Sequence, residues 1–311
     1  MKNMEKKYDI VVVGGGPAGI TSAIYAKRAN KSVVIIEKFM PGGQVGLIGN
    51  IENYTGFPSI DGASLSAKFF EHASSLGIEF AFEEAEEFDL SGKEKVVKCN
   101  KNTYTGKAVV LAQGSHSRLL GIDGEKEFTG KGVSYCALCD GNFFKGKTVA
   151  VVGSGDSAFS DADYLSNLCK RVYILTKDNL KLHNYAENEF DGKENVEILK
   201  GALSQKIEGS DKVESLSYTM GDEEKELKVD AVFVAIGRTP DTANLVGKID
   251  MDGRGFIHTD QKMKTSADGV YACGDVRADS IKQIATAVGD GAIAGTEAVK
   301  YAILVDKGLV K

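Results

Sequence analysis

The strongest constraint on this chain is a glycine turn that occurs twice. The first copy, Gly14-Gly15-Gly16-Pro17-Ala18-Gly19, follows the β-branched run Tyr8-Asp9-Ile10-Val11-Val12-Val13 and precedes a helical stretch from Ala18 to about Ala29. A second apolar run, Ser32-Val33-Val34-Ile35-Ile36-Glu37, then ends in an acid. Strand, glycine turn, helix, strand and acid, in that order, make up the dinucleotide-binding fingerprint. Gly14 permits the tight turn, Gly16 lets backbone N–H groups approach a pyrophosphate, and Gly19 lets helix and strand pack closely. The helix start at Pro17 and Ala18 then faces phosphate, and Glu37 stands where a carboxylate holds a ribose hydroxyl.

The second copy is Gly153-Ser154-Gly155-Asp156-Ser157-Ala158, set between the runs Thr148–Val152 and Arg171–Thr176, with a helix reaching about Cys169. The later part of each unit repeats too: Ala108-Val109-Val110-Leu111-Ala112-Gln113-Gly114 resembles Ala231-Val232-Phe233-Val234-Ala235-Ile236-Gly237. Before each lies a polar stretch of short alternating segments, which reads as a small antiparallel meander. Gly269-Val270-Tyr271-Ala272-Cys273-Gly274-Asp275-Val276 and a helix from about Gln283 to Val305 have no counterpart after the second repeat. They are therefore assigned to the first domain. The expected fold is α/β: two Rossmann-like nucleotide-binding domains of the three-layer ββα type, the second inserted in the first. The boundaries are expected at 1–115 with 244–311 and at 118–240, and the polar stretches 115–118 and 238–244 are the expected hinges.

The 311 residues suit two domains, and 42% hydrophobic with 26% charged residues is a globular mix. A net charge of −6 argues against a nucleic-acid partner, which needs a phosphate-neutralising surface. No apolar run approaches the roughly 20 residues that span a bilayer, so no membrane association is expected and the protein is read as cytoplasmic. The five cysteines, at 99, 136, 139, 169 and 273, make no disulfide framework.

Only Cys136 and Cys139 lie close together, in Ser134-Tyr135-Cys136-Ala137-Leu138-Cys139-Asp140-Gly141. Two intervening residues let both sulfurs meet at a helix start, which favours a nucleophilic thiolate. A zinc site would need a second ligand pair, and neither the solitary cysteines nor the histidines at 72, 116, 183 and 258 supply one; no metal is expected. Inert buried cysteines are the other alternative, with Asp140 an odd companion for them. Asp140 itself reads as an acid or base beside a sulfur that switches between thiolate and thiol, or as a helix cap.

Taken together, these segments resemble the low-molecular-weight thioredoxin reductases over nearly the whole chain. The resemblance is carried by Gly14 to Gly19, Gly42-Gly43-Gln44, Asn53, Ala112-Gln113-Gly114, Cys136 to Gly141, Gly153 to Ala158, Gly237-Arg238-Thr239-Pro240, Gly274-Asp275 and Lys282-Gln283. It implies one noncovalent FAD per chain in the first domain, a redox disulfide in the inserted domain, thioredoxin as partner and a homodimer. The FAD set implied is Gly14, Gly16, Pro17, Ala18, Gly19, Glu37, Gly43, Gln44, Asn53, Ala112, Gly114, Gly274, Asp275, Lys282, Gln283 and Ile284. By the same resemblance Cys139 is the sulfur nearest the flavin, Cys136 attacks the partner's disulfide, and Asp140 moves a proton.

In one segment the sequence departs from that family. Its NADPH-dependent members carry His-Arg-Arg, three residues and a further Arg after the second strand of the inserted domain, a clamp for the 2′-phosphate. Here the stretch reads Thr176-Lys177-Asp178-Asn179-Leu180-Lys181-Leu182. Lys177 and Asp178 replace the arginine pair, and Leu182 replaces the third arginine. Gly153, Gly155, Asp156, Ser157, Ala158 and Lys177 are therefore read as a vestigial or relaxed nucleotide site, with NAD(P)H a doubtful ligand. The leading expectation is a reductase fed by reduced ferredoxin. The alternatives are the same chemistry fed by NADPH or NADH, an oxygen-using dithiol oxidase, and a flavin-bound redox sensor.

Overall fold

A computed structural model describes residues 4–177, 182 and 187–310. The chain divides into two compact units, residues 1–116 with 239–311, and residues 117–238. The fold is the expected mixed α/β one with two Rossmann-like sheets.

Strands are numbered along the chain. The first unit holds β1 (Glu5–Val13), β2 (Val33–Glu37), β3 (Glu79–Phe82), β4 (Ala85–Asp89), β5 (Lys95–Cys99), β6 (Thr103–Leu111) and, after the insertion, β17 (Val270–Ala272). Its sheet runs β3-β2-β1-β6-β5-β4, with β17 also pairing with β6. β3, β2, β1, β6 and β17 are parallel, and β4, β5 and β6 make the antiparallel meander. Residues of β1, β2 and β6 alternate between two apolar clusters. Ile10, Val12, Val33, Ile35, Ala108 and Val110 face helices α1 (Pro17–Arg28) and the long C-terminal helix, while Val11, Val13, Val34, Ile36, Val109 and Leu111 face Phe88, Leu245 and Ile257. Both faces are covered, which is why the three strands read as unbroken apolar runs. A further helix, α2 (Gly62–Ser75), starts with Asp61 as its cap, the carboxylate accepting from the Ser64 N–H at 2.8 Å.

The second unit repeats the plan. Its parallel sheet runs β11 (Val196–Lys200), β10 (Arg171–Thr176), β9 (Thr148–Val152), β15 (Ala231–Val234), β8 (Val133–Ser134). One face packs on α4 (Asp156–Ser166) through Val149, Val151, Ile174 and Phe233. The other packs on the separate meander of β12 (Ala202–Gly209), β13 (Val213–Met220) and β14 (Glu223–Lys228) through Ala150, Val152, Val232 and Val234. The short helix α3 (Ala137–Asp140) follows β8.

The crossings from one unit to the other run as β7 (Ser115–Ser117) and β16 (Arg238–Pro240), which pair with each other. After β16, Thr242 donates to the Gly255 carbonyl at 2.7 Å and Leu245 is fully buried, so residues 239–243 pack with the first unit. The C-terminal helix α5 (Ile284–Asp306) lies against α1. Among the described residues no helix is long and apolar enough to cross a membrane.

Candidate active site

In the inserted unit, Cys136 and Cys139 are joined as a disulfide across α3, with Cα atoms 5.3 Å apart. β8 ends at Ser134, the chain turns through Cys136 in extended conformation, and α3 begins at Ala137. The Cys139 N–H points back at Cys136, 3.2 Å from its Sγ. A donor aimed at that sulfur favours its thiolate once the disulfide opens. Tyr135 is tied down by its hydroxyl, which donates to the buried Glu125 at 3.1 Å.

Asp140 closes the helix. It accepts a hydrogen bond from the Ser134 hydroxyl at 2.6 Å. Burial pushes its carboxyl above the ordinary range, and the Ser134 bond partly opposes that rise. Although it precedes the 3-10 turn Gly141–Phe144, its side chain makes no cap there, so the helix-cap alternative finds no bond to support it. The remaining cysteines are buried single thiols: burial pushes Cys99 up to about 12, Cys169 up to about 11, and Cys273 higher still. Among the described residues, no three His, Cys, Asp or Glu side chains gather as metal ligands.

The first unit assembles most of the expected cofactor residues into one place. Gly14, at φ +104°, sits so close to β6 that a Cβ would come 2.3 Å from the Ala112 carbonyl oxygen; at Gly19 it would come 1.9 Å from the Gly14 oxygen. Glu37 accepts from the Gly15 N–H and, with its other oxygen, from the Phe39 N–H, both at 2.7 Å. Gly42 donates to the Gly15 carbonyl at 2.7 Å, and the left-handed Gly43 lies against Gly16. Gln44 donates to the Ser115 carbonyl at 2.8 Å. Gly274 packs on Ala18, which brings the C-terminal Gly-Asp pair to the start of α1. Asn53 donates to Gln283 at 3.1 Å, and Gln283 caps α5 in a reciprocal box with Thr286, just before Ile284. Gly114 takes a positive φ of 73° beyond β6.

These residues fit FAD. The first turn of α1 has Pro17 at its start, no side-chain cap and no acid, so its N-terminal N–H groups suit a phosphate. A Cβ at Gly16 would meet nothing within 4 Å, which leaves the space a pyrophosphate needs.

Lys282 has a task the sequence did not reveal. Its ammonium donates to the Asp275 and Arg277 carbonyls and the Ser280 hydroxyl at 3.0, 2.7 and 2.6 Å, and lies 4.5 Å from the Phe256 ring centroid. Sequence reasoning also missed Asp290 on α5, which accepts from the Gly274 N–H at 3.1 Å and from Arg277 at 2.6 Å. No sequence spacing signals this bond, because the loop and the helix meet only through the fold.

The second glycine turn keeps its steric logic. A Cβ at Gly153 would lie 2.4 Å from the Ala235 oxygen and 2.9 Å from the Ala158 Cβ, and Gly155 precedes α4 without a side-chain cap. Asp156 and Ser157 open α4. At the end of β10, however, Thr176 is buried and Lys177 is exposed, while Leu182 packs against the apolar cluster of Phe159 and Phe190. Asp178 lies outside the described residues.

A cysteine pair closed as a disulfide in one nucleotide-type unit, with a phosphate-ready glycine cradle in the other, defines a disulfide oxidoreductase built on dinucleotide-binding domains. The pattern of the family described as Pyridine nucleotide-disulphide oxidoreductase matches residues 8–291. The thioredoxin reductase of Bacillus subtilis (strain 168) is 41% identical over 302 residues, covering 96% of this chain and 95% of its own. Among solved structures, thioredoxin reductase from Streptococcus pyogenes MGAS5005 is 36% identical with a TM-score of 0.90, covering 95% of this chain and 98% of its own. A ferredoxin-flavin thioredoxin reductase from Clostridium acetobutylicum is 36% identical with a TM-score of 0.53, covering 96% and 98%. The chain belongs to the pyridine nucleotide-disulphide oxidoreductase family and, within it, to the thioredoxin reductases, a group whose members are FAD flavoproteins.

Proposed function

We propose that this reductase takes its electrons from reduced ferredoxin rather than from NADPH. The observation that carries the reading is Leu182: where the NADPH-dependent pattern places a phosphate-clamping arginine, this chain packs a leucine into the apolar cluster of α4. Of the two positions that replace the arginine pair, Lys177 offers a single point charge and Asp178 would repel a phosphate. Each lost charge-assisted bond is worth about 1.5–3 kcal/mol, so the loss weakens NADPH binding by orders of magnitude. A Clostridium acetobutylicum relative named a ferredoxin-flavin thioredoxin reductase supports this reading; the Streptococcus pyogenes relative is named only as a thioredoxin reductase.

In this reading Gly14 to Gly19, Glu37, Gly43, Gln44, Asn53, Gly274, Asp275 and Gln283 would hold FAD, which when bound would supply the electron pair for opening Cys136–Cys139. Lys282 holds the loop beside Asp275. Two electrons break the S–S bond, and Asp140 gives its proton to the Cys139 sulfur. The Cys136 thiolate, favoured by the Cys139 N–H, attacks one sulfur of the thioredoxin disulfide and displaces the other as a thiolate. Cys139 returns its proton to Asp140 and attacks Cys136; the original disulfide re-forms, and the two thioredoxin sulfurs leave as thiolates that take two protons from water. The protein is taken as a cytoplasmic homodimer, for which light scattering should give twice the 33.2 kDa chain mass.

The test is anaerobic stopped-flow mixing with reduced ferredoxin, NADPH and NADH in turn, following flavin absorbance. Reduced ferredoxin should bleach it rapidly, and NADPH should not. Rapid bleaching by NADPH at low-micromolar affinity would restore the NADPH enzyme, and failure of ferredoxin would remove it as donor.

A further inference from the structure

Ser134 is the last residue of β8, and its side chain is almost wholly buried. Its hydroxyl oxygen stands between two groups of the disulfide segment. It donates its one proton to Asp140 Oδ2 at 2.6 Å and accepts the Cys136 N–H at 3.1 Å. The seat of this hydroxyl is fixed from below, because Val133 and Ser134 pair with Val232 and Phe233 of β15. The neighbouring residue, Gly141, is fixed from the other side: a Cβ there would lie 3.0 Å from both Tyr164 and Leu165 of α4. Asp140 is thus held by its backbone at one end and by the Ser134 hydroxyl at its carboxyl end.

That arrangement matters for a group that must release and recover a proton. A buried carboxyl without a donor has no fixed orientation and holds its proton too tightly. A hydroxyl donor lowers the cost of the ionised form and gives the carboxyl one orientation.

We propose that Ser134 is a positioning residue of the disulfide chemistry, its hydroxyl fixing the Asp140 carboxyl against the backbone of Cys136. The proposal rests on the reading of Asp140 as the group that moves the proton. Ser134 acts on the proton transfer through Asp140, the carboxyl its hydroxyl bonds.

The experiment measures reduction of Cys136–Cys139 in the holoprotein by excess dithiothreitol under anaerobic conditions. Samples are quenched at intervals with a maleimide, and labelled cysteines are counted by mass. Dithiothreitol is oxidised to its cyclic disulfide, Cys136 and Cys139 become thiols, and the two dithiothreitol protons pass to the protein sulfurs, one through Asp140. Wild type, Ser134→Ala, Ser134→Thr, Asp140→Asn and the Ser134→Ala/Asp140→Asn double variant are compared, with FAD content and circular dichroism confirming the fold. Loss of one hydrogen bond to an ionisable group should make Ser134→Ala about tenfold slower. Ser134→Thr, which keeps the hydroxyl, should recover most of the rate, and the double variant should be no slower than Asp140→Asn. Ser134→Ala at the wild-type rate while Asp140→Asn is slow overturns this proposal alone, as does multiplication of the two effects in the double variant. Asp140→Asn at the wild-type rate overturns the reading of Asp140 and this proposal with it.

Discussion

Asp140 and Asp161 are both carboxyls of the inserted unit that burial pushes above the ordinary range, with opposite uses. Asp140 sits beside the disulfide with a hydroxyl partner. Its raised affinity keeps the proton on to higher pH than an ordinary carboxyl does, and proton donation is lost as pH climbs through the raised value. Thioredoxin reduction should therefore fall on the alkaline side, and Asp140→Asn should give a slow rate without that limb in a pH series with constant thioredoxin. Asp161, on α4, is pushed up to about 7 by burial. The folded chain then binds this proton more tightly than the unfolded chain, so stability falls as pH rises from 3.8 toward about 7. Asp161→Asn should stabilise the protein by about 1–2 kcal/mol above that window and by little below it; urea midpoints at both ends would show a constant difference if the account is wrong. Cys139→Ser should accumulate a mixed disulfide between Cys136 and thioredoxin, visible by mass, and Cys136→Ser should form none.

Between elements, the contact of α1 with α5 is made backbone to backbone. A Cβ at Gly291 would come 2.2 Å from the Ala18 carbonyl oxygen, and one at Gly295 2.4 Å from that of Ser22. Gly295→Val must therefore push the helices apart, at a cost of about 3 kcal/mol or more, with a lower melting temperature and lost FAD. The loop that begins at Gly274 is joined to the same helix by Asp290, which also pairs with Arg277. Asp290→Ala leaves a largely buried guanidinium and the Gly274 N–H without this partner, which costs about 3 kcal/mol. It should release FAD on dilution far faster than wild type does; equal retention would show that the pair serves the helix only.

Over the whole molecule, one plan is used twice, and the two copies differ after the second strand. Both glycine turns pack against the carbonyl at the end of a neighbouring strand, Ala112 for Gly14 and Ala235 for Gly153. After the second strand, one copy presents Glu37 to its own glycine turn, whereas the other ends at Thr176 and Lys177. If the inserted unit has only lost its clamp, Asp178→Arg with Leu182→Arg should bring in NADPH-driven bleaching of the flavin. No gain in the stopped-flow assay would place the loss deeper than the phosphate site.

The sequence by itself determined what depends on local geometry. A glycine at 14 or 19 is readable because any Cβ would meet a backbone oxygen, and the two-residue spacing of Cys136 and Cys139 is readable because one turn of helix closes it. The apolar runs of β1, β2 and β6 announced strands covered on both faces, since neither set of alternating side chains could meet water. The paired bonds of Asn53 with Gln283 and of Asp290 with Gly274 and Arg277 were decided by tertiary structure, as was the contact of Gly274 with Ala18. Ser134 shows the boundary most clearly: its place two residues before Cys136 was visible, but the direction of its hydroxyl was not. That direction follows from the pairing of β8 with β15 and the seating of Gly141 on α4, which are long-range contacts. The proton affinity of Asp140 has the same origin, because burial depends on what the rest of the chain packs around a carboxyl and not on the residues beside it.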